Sequence, residues 1–499
     1  MEHFDVIIIG AGLSGVGAGY RLQTRCPRKS YVILEARATL GGTWDLFRYP
    51  GIRSDSDMFT LGYPFRPWKE AKAIADGPSI LRYVRETARE FGIDRHIRFG
   101  QRVRSASWSS GDRRWVLEVQ TADGGVQHYT CSFLYGCTGY YRYDAGHEPE
   151  FPGAERFRGR LVHPQHWPED LDYAGKKVVV IGSGATAVTL VPAMSQKAAH
   201  VTMLQRSPSY ILSLPNHDPM AESLRRWLPE GTAHRAVRWK NILVGQVIYQ
   251  MARRAPAYTR GLLRKLAVQS LPQGYDVDTH FKPRYEVWDQ RLCFVPDSDL
   301  FVSIRDGRAS VVTDQIESLT EHGVRLQSGS ELEADIIVSA TGLRMLALGG
   351  VQLVVDGEAV RPGDAFIYKG TMLSNVPNFA FCVGYTNASW TLRADLASTY
   401  VCRLLNHMDR HRYATVRPVC NTEGMESRPL LDLKSGYVAR AAADLPKQAK
   451  QKPWLIRQNY ILDMLTMKVS RIEDGVLQFS RASALTRADV REGARAAGD

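Results

Sequence analysis

Near the start of this 499-residue chain stands Val6-Ile-Ile-Ile-Gly10-Ala-Gly12-Leu-Ser-Gly15, which indicates its fold class. Its apolar run predicts a strand, and its glycines predict a tight turn. The apolar positions of Val16–Leu22 predict the helix that follows. The next apolar run, Tyr31–Leu34, ends in Glu35, where a carboxylate can accept hydrogen bonds from a ribose. The sequence therefore predicts a dinucleotide-binding fold. A pyrophosphate would approach the helix N-terminus across Gly10, Gly12, Ser14 and Gly15.

A second unit repeats this design in the middle of the chain. Lys177–Ile181 predicts a strand, a glycine-rich turn follows, and Val201–Leu204 predicts the next strand. The end of that strand carries Arg206 and Ser207 in the place of an acid, and these groups bind a 2′-phosphate that a carboxylate would repel. The first turn is therefore expected to bind FAD and the second NADPH. The predicted NADPH-binding residues are Gly182, Ser183, Gly184, Ala185, Thr186, Ala187, Arg206 and Ser207.

A patterned stretch stands just upstream of the second turn, Phe157-Arg-Gly-Arg-Leu-Val-His163-Pro-Gln-His-Trp167-Pro168. Its pattern, Phe-x-Gly-x-x-x-His-x-x-x-Trp-Pro, makes a chance match far rarer than for a glycine turn alone. It resembles the fingerprint of the flavin-dependent Baeyer–Villiger monooxygenases. The resemblance implies that His163 and Trp167 form a hinge between two nucleotide domains, with no acid–base role for His163. Pro164 departs from the small hydroxyl residue that commonly follows this histidine in the family.

A further stretch, Gly41–Asp55, is similar to the flavin-lining motif of the same family. Its two glycines allow close backbone approach, and the following side chains can hydrogen-bond and pack along the FAD. The resemblance implies that Asp55 reaches the catalytic face, although an aspartate after a serine is more often a turn residue or helix cap. Val103, at the end of a predicted strand, matches a position whose backbone holds the adenine. The FAD-lining residues that this motif predicts are Thr43, Trp44, Asp45, Leu46, Arg53 and Asp55.

The segment Trp288–Pro296 resembles the part of the family that carries the active-site arginine, here Arg291. The family's oxidant is a negatively charged flavin peroxide whose reaction with a ketone develops an oxyanion, so a cation is needed beside the flavin. Arg291 and Asp55 are the predicted catalytic residues, with Asp55 orienting the arginine. Without the resemblance, a surface arginine would be the better interpretation. A substrate wall is predicted from Asn387, Trp390 and Arg393, although Trp390 could equally belong to the core.

Two returning strands set the predicted domain boundaries. Tyr135–Gly139 closes the first nucleotide fold, and Asp335–Gly342 closes the second with an Ala-Thr-Gly ending that the resemblance associates with crossings between the domains. We therefore predict an α/β protein of two Rossmann-like dinucleotide-binding domains, for FAD and NADP. The boundaries are 1–145 for the first part of the FAD domain, 146–340 for the NADP domain with a helical insertion at about 208–287, and 341–499 for the second part of the FAD domain, ending in a frayed tail from residue 486.

Composition fits this prediction and argues against several other classes. A chain of this length can bury two or three cores. The first strand begins almost at the initiator methionine, so no secretory signal is expected and the predicted location is cytoplasmic. Seven dispersed cysteines predict reduced thiols, not a zinc site or a redox disulfide, and no other metal site is expected. Basic and aromatic residues are interleaved in one segment only, so no nucleic-acid partner is predicted.

The formal net charge of +12 is concentrated in the segment 221–270, which holds ten lysines and arginines against two glutamates. Apolar residues are mixed with them, so the segment could lie on an anionic membrane surface. A solvated basic helix face is the more common explanation, and we favour it. The apolar run 241–251 is too short to span a bilayer.

The family resemblance implies an NADPH- and O₂-dependent flavin monooxygenase that converts ketones to esters or lactones and oxidises thioethers or thioamides. A flavin N- or S-hydroxylating monooxygenase would share both nucleotide folds, but the Trp167-Pro168 ending and the Asp55 motif argue against it. A non-catalytic NADPH-binding sensor would leave Arg291 and Asp55 without a role. A disulfide reductase would need a cysteine pair near the flavin, and the sequence has no Cys-x-x-Cys pair.

Overall fold

The structure, a computed structural model, describes residues 1–422 and 424–481 and contains two large sheets. The tail predicted from residue 486 lies outside these ranges. The strands are β1 (Glu2–Ile9), β2 (Tyr31–Leu34), β3 (Ile97–Arg98), β4 (Gln101–Ser109), β5 (Arg114–Thr121), β6 (Val126–Gly136), β7 (Arg160–Val162), β8 (Lys177–Ile181), β9 (His200–Gln205), β10 (Ile211–Leu214), β11 (Cys293–Pro296), β12 (Ala309–Thr313), β13 (Ile316–Leu319), β14 (Gly323–Leu326), β15 (Glu331–Glu333), β16 (Ile336–Ser339), β17 (Gln352–Val355), β18 (Glu358–Val360), β19 (Ile367–Tyr368), β20 (Met372–Leu373), β21 (Phe379–Phe381), β22 (Tyr413–Pro418), β23 (Ser427–Pro429), β24 (Lys447–Ala449) and β25 (Leu477–Arg481).

Helices cover both sheets and fill the long connection between β10 and β11. They are α1 (Leu13–Arg25), α2 (Thr43–Leu46), α3 (Met58–Leu61), α4 (Gly77–Glu90), α5 (Ala185–Met194), α6 (Pro219–Trp227), α7 (Glu230–Arg254), α8 (Pro256–Ser270), α9 (Val277–His280), α10 (Asp299–Arg305), α11 (Trp390–His411), α12 (Gly436–Ala441) and α13 (Tyr460–Met464). No helix among the described residues is both long and apolar enough to cross a membrane.

The larger sheet joins strands from both ends of the chain in the order β18-β17-β4-β5-β6-β1-β2-β3, with β21 also paired to β6. Its centre is parallel: Ile7 of β1 lies opposite Val32 of β2 on one side and Leu134 of β6 on the other. Continuous apolar runs suit these strands because helices bury both faces of a parallel sheet. Helix α1 packs against α11 on one of these faces, in a core shared by residues from both ends of the chain.

The smaller sheet is parallel throughout and has the order β12-β9-β8-β16-β7. Its central strand β8 is flanked by β9 and β16, as β1 is flanked by β2 and β6 in the larger sheet. The structure is therefore mixed α/β with two Rossmann-like units, as the sequence predicts. Helices α6 to α9 follow β10, which pairs in parallel with β11.

The basic segment 221–270 forms parts of α6, α7 and α8. Seven of its ten basic side chains form hydrogen bonds or ion pairs with other described residues. Three pair with backbone carbonyls or a nearby hydroxyl, namely Arg225, Arg235 and Arg238. Four form ion pairs, namely Lys240 with Asp218, Arg253 with Asp289, Arg260 with Glu286 and Arg264 with Asp278. Most of this charge is therefore paired within the protein, and Arg225, Arg238 and Arg253 connect the insertion to residues outside it.

Candidate active site

A cleft of about 1150 Å³ is lined by residues of both glycine-rich turns. Ligand pockets are ordinarily roughly 300–1,000 Å³, so this cleft has room for more than one small ligand. Most of the predicted cofactor-binding residues line it, and so does Arg291. The predicted residues that do not line it are Gly15, Asp45, His163, Trp167, Ala187, Asn387 and Arg393.

The first turn leaves the N-terminus of α1 open to the cleft. Helix α1 begins at Leu13 after Gly12, and no side chain caps its first amides. Gly10 has a φ of +101°, and a Cβ there would lie 2.7 Å from the carbonyl oxygen of Cys137. Only glycine fits this close crossing of β1 and the end of β6. The free amides of such a helix start bind anions such as a pyrophosphate.

The second turn repeats this geometry in the smaller sheet. Gly182 has a φ of +137°, and a Cβ there would lie 2.5 Å from the carbonyl oxygen of Ala340. Helix α5 begins after Gly184 and also lacks a side-chain cap. A Cβ at Gly184 would meet no atom within 4 Å, so the backbone is open to a ligand at this point. The two turns therefore present two equivalent anion sites to one cleft.

Arg206 is exposed at the edge of the cleft, directly after β9. Within the described ranges, its guanidinium has no hydrogen bond or ion pair with another residue. The neighbouring Ser207 is also exposed, and its carbonyl oxygen accepts a hydrogen bond of 2.9 Å from the Ser183 hydroxyl. A guanidinium and a hydroxyl are thus free to bind an anion beside the second turn.

Glu35 lies buried at the end of β2, where it lines the cleft. Its carboxylate accepts hydrogen bonds from the N–H groups of Ala11, at 2.7 Å, and Arg37, at 2.9 Å. Burial raises the pKa of Glu35, and these two amides partly counter that rise. Each carboxylate oxygen can accept more than one hydrogen bond, so a ribose hydroxyl can be added to these contacts.

Asp45 has a different position from the one expected for a FAD-lining side chain. It is buried, and its carboxylate forms ion pairs with Arg37 at 2.7 Å and Arg85 at 2.9 Å. A buried carboxylate requires such partners, and they turn this side chain away from the cleft. Asp45 therefore fixes α2, whose other side chains line the cleft, namely Thr43, Trp44 and Leu46.

Arg291 lies in the cleft just before β11, with Asp55 nearby. Burial opposes the charge of Arg291, but the Tyr140 hydroxyl and the Asp55 carboxylate outweigh it and raise the pKa of this guanidinium. Burial also raises the pKa of Asp55, and Arg291 and Arg53 act against that rise. The cleft therefore contains a permanent cation beside a carboxyl group.

Asp55 influences Arg291 through its charge and not through a direct contact. The two side chains share no hydrogen bond or ion pair in the described part of the chain. The expected orienting contact is therefore absent from this structure. Arg53, which also lines the cleft, is bound to Asp299 at the start of α10.

The predicted substrate wall divides into three different environments. Trp390 lines the cleft, donates a hydrogen bond of 2.8 Å to the Ser14 hydroxyl and stacks on Tyr140 with 4.9 Å between ring centroids. The Asn387 side chain donates to the carbonyl of Gln458. The prediction for Arg393 is wrong: this residue is 1% exposed and forms a buried ion pair with Asp463.

The fingerprint stretch contacts the segment that leaves the larger sheet after β6. The Nδ1 atom of His163 accepts a hydrogen bond of 3.2 Å from the N–H of Gln165, and burial lowers the pKa of His163, which favours the neutral ring. The Gln165 amide in turn donates to the carbonyl oxygens of Arg142, at 2.9 Å, and Tyr143, at 3.0 Å. Trp167 packs against the core of the smaller sheet. The stretch therefore links the two sheets.

Sequence reasoning missed the tyrosines around Arg291. Tyr140 and Tyr141 have their hydroxyl oxygens 2.7 Å apart, and Tyr437 lines the same part of the cleft. All three hydroxyls influence the pKa of Arg291. A signal for the first two was available, because they directly follow the Thr138-Gly139 end of a returning strand. Tyr437 comes from a distant part of the chain and had no such signal.

Two dinucleotide-binding folds that share a cleft define a two-cofactor oxidoreductase. The family model described as Flavin-binding monooxygenase-like matches residues 63–221, and that of an NAD(P)-binding Rossmann-like domain matches residues 8–76. The chain is 54% identical over 488 residues to the FAD-containing monooxygenase EthA of Mycolicibacterium smegmatis, covering 98% of this chain and 99% of that protein. It is 52% identical to the putative FAD-containing monooxygenase MymA of Mycobacterium tuberculosis, covering 97% and 98%. The chain belongs to the FAD-containing monooxygenase family.

Solved structures show the same fold. A steroid monooxygenase bound to NADP has a TM-score of 0.76 at 21% identity, covering 96% of this chain and 100% of that one. The cyclohexanone monooxygenase from Rhodococcus sp. Phi1 bound to NADP⁺ has a TM-score of 0.74 at 19% identity, with the same coverage. At this level of identity, the likeness concerns the fold alone.

Proposed function

We propose that this flavin monooxygenase uses NADPH and O₂ to convert ketones into esters or lactones, and that it also oxidises thioethers or thioamides. The ketone reaction consumes the ketone, O₂, NADPH and a proton, and yields the ester, NADP⁺ and water. The observation that carries this proposal is the permanent positive charge of Arg291 in the cleft between the two turns. Such a fixed cation stabilises negative charge that develops on oxygen during a reaction.

The residues of the cleft fit both cofactors. The uncapped start of α1 would hold the pyrophosphate of FAD, and Glu35 would accept hydrogen bonds from its ribose. The uncapped start of α5 would hold the pyrophosphate of NADPH, with Arg206 and Ser207 at its 2′-phosphate. FAD held there would supply the redox chemistry that connects NADPH with O₂.

Arg291 and its neighbours would then act on the substrate. The guanidinium would donate hydrogen bonds to the carbonyl oxygen of a ketone and stabilise the charge that grows there. The paired hydroxyls of Tyr140 and Tyr141 lie beside it and add donors. The Trp390 ring, stacked on Tyr140, supplies an apolar wall that would keep water away from the reacting atoms.

The proposal is tested by separating cofactor reduction from oxygen transfer. The purified enzyme is reduced anaerobically with NADPH, and oxygen is then admitted with a panel of linear and cyclic ketones, with a thioether or with a primary amine. We expect stoichiometric ester, lactone or sulfoxide. Sulfoxide or N-hydroxylated product without any ester would support the flavin S- or N-hydroxylating alternative. Oxygen consumption without turnover of any substrate would support the NADPH-binding sensor.

A further inference from the structure

Three side chains with metal-ligating atoms meet at the C-terminal end of α11, and none of them lines the cleft. His407 and His411 are four residues apart on this helix and therefore share a face, with 4.4 Å between their ring centroids. Glu473 approaches from the segment before β25, and its Oε1 lies 2.9 Å from Nε2 of His407. One ligand atom from each residue lies within 4.8 Å of the others. We propose that His407, His411 and Glu473 bind a divalent transition-metal cation, with Zn²⁺ as the reference ion.

The donor set determines the kind of cation. Two imidazole nitrogens and one carboxylate oxygen suit Zn²⁺, Ni²⁺ and Cu²⁺, whereas Mg²⁺ and Ca²⁺ prefer ligand sets made of oxygen. Three protein ligands leave a fourth position for water. A bound cation would replace the hydrogen bond between His407 and Glu473, since both groups would direct their lone pairs to the metal.

The surroundings of the cluster hold its ligands in place. The Tyr413 hydroxyl donates a hydrogen bond of 3.3 Å to Glu473, and the Tyr413 ring stacks on His411 and on Phe479, with centroid distances of 5.6 and 4.8 Å. Tyr413 and Phe479 belong to the paired strands β22 and β25. Such contacts around the ligands orient them and strengthen metal binding.

Two electrostatic effects act on a bound cation in opposite directions. The carbonyl groups at the C-terminus of α11 favour positive charge. Arg410 and Arg412 are neighbours in sequence and oppose it. A cation held mainly by charge would therefore bind weakly, whereas one that forms directed bonds to imidazole nitrogen can overcome this repulsion.

A metal at this cluster would fasten the C-terminal segment to α11. The next residue, Asp474, forms an ion pair of 3.0 Å with Lys369 and accepts a hydrogen bond of 2.6 Å from the Tyr368 hydroxyl. The metal would add a further attachment for the same segment. Because the ligands come together only in the folded chain, metal binding would raise the thermal unfolding temperature.

The experiment uses the tag-free enzyme with FAD bound, freed of metal with a chelator. ZnCl₂ is titrated calorimetrically, the unfolding temperature is followed, and Co²⁺ is used to record ligand-field absorption bands. His411→Asn and Glu473→Gln remove one ligand each from a site with exposed side chains. His322→Asn is the matched control, because His322 is exposed and lies 3.9 Å from Glu321, where the described residues form no three-ligand cluster.

We expect one Zn²⁺ per chain in the wild type and in His322→Asn, with a higher unfolding temperature and no response to MgCl₂. His411→Asn and Glu473→Gln should bind Zn²⁺ at least about tenfold more weakly and lose the Co²⁺ bands. The proposal is overturned if the wild type binds no Zn²⁺ stoichiometrically. It is also overturned if His411→Asn binds as tightly as His322→Asn.

Discussion

Arg291 keeps its charge inside the cleft, and the proposed oxygen chemistry depends on that charge. Reduction of FAD by NADPH does not require this cation, so Arg291→Ala should still reduce its flavin. The activation free energy of ester formation should rise by about 3–4 kcal/mol, the magnitude seen when an oxyanion donor is removed, so ester should form more slowly. Hydrogen peroxide should be released in place of ester. Stopped-flow reduction measured together with chromatography of a linear ketone reaction separates these two steps.

The same measurement on Asp55→Asn should show a smaller effect than that of Arg291→Ala. Asp55 acts on Arg291 through its charge without a direct contact, so this variant should lose less ester formation than Arg291→Ala. Arg226→Ala is the control, because Arg226 is an exposed arginine outside the cleft. If Arg291→Ala retains FAD and makes ester at the wild-type rate, the assignment of this residue is wrong.

Arg206 should determine the preference for NADPH over NADH. Its guanidinium is exposed at the cleft and free of partners within the described residues. A hydrogen bond to a charged group is worth about 1.5–3 kcal/mol. Arg206→Ala should therefore raise the KM for NADPH by the corresponding factor, roughly tenfold or more, and change the KM for NADH little. Steady-state kinetics with both cofactors measure the difference. Equal changes for the two cofactors would contradict a role at the 2′-phosphate.

At the scale of elements, Arg238 joins the helical insertion to the segment after the Asp55 motif. Its guanidinium, on α7, donates to the carbonyl oxygens of Phe59, Thr60 and Gly62 at the end of α3, at 2.6, 3.3 and 2.8 Å. Arg238→Met would leave three buried carbonyls without a donor, so we expect a loss of at least about 3 kcal/mol in unfolding free energy. Arg226→Met, on the exposed surface, should change it by less than about 0.5 kcal/mol. Urea unfolding of both variants makes the comparison, and equal losses would show that the Arg238 contacts contribute little.

The outer face of α7 provides the test of peripheral membrane binding. Trp239, Leu243 and Val247 follow one another at intervals of four residues and are 39%, 48% and 65% exposed. Binding through this face would give sedimentation with vesicles of anionic lipid at low salt, where electrostatic attraction is strongest, and that sedimentation would be lost in Val247→Glu. The internal pairing of most basic side chains favours the opposite outcome, with no sedimentation of the wild type. Val126→Glu places the same change at an exposed valine on β6 and should have no effect. Absence of wild-type sedimentation would leave α7 as a solvated helix.

At the scale of the whole molecule, buried histidines should make the fold sensitive to acid. His234 is 3% exposed, neither of its ring nitrogens has a partner among the described residues, and burial lowers its pKa from 6.5 to about 4. The unfolded chain therefore binds a proton at a higher pH than the folded one does. The contribution of His234 to the unfolding free energy is fully present above pH 6.5. It decreases by roughly 3 kcal/mol as the pH falls toward 4.

The unfolding temperature measured between pH 7 and about 4 tests this expectation. His234→Leu should flatten the profile because it removes the protonation, whereas the exposed His322→Asn should leave it unchanged. His163 and His280 also have a pKa lowered by burial, so part of the acid sensitivity should remain in His234→Leu. Identical profiles for the wild type and His234→Leu would mean that the acid response arises elsewhere.

The two nucleotide folds and much of the cleft lining could be predicted from residues that are close together in the chain. Gly10, Gly182 and Arg206 belong to patterns of a few adjacent residues, and the backbone of a strand–turn–helix unit places such residues in the same way wherever it forms. Arg291 was found through its resemblance to a family segment. Local geometry and a family pattern were sufficient because the two turns form from neighbouring residues.

The packing of distant parts of the chain sets which groups far apart in sequence meet. Asp45 turns toward Arg85, Arg393 is buried against Asp463, and Tyr437 reaches the surroundings of Arg291. His411 and Glu473 likewise come together only where α11 meets the segment before β25. These contacts depend on how helices and strands pack over long separations in sequence, and neither hydrophobic period nor local propensity contains that information.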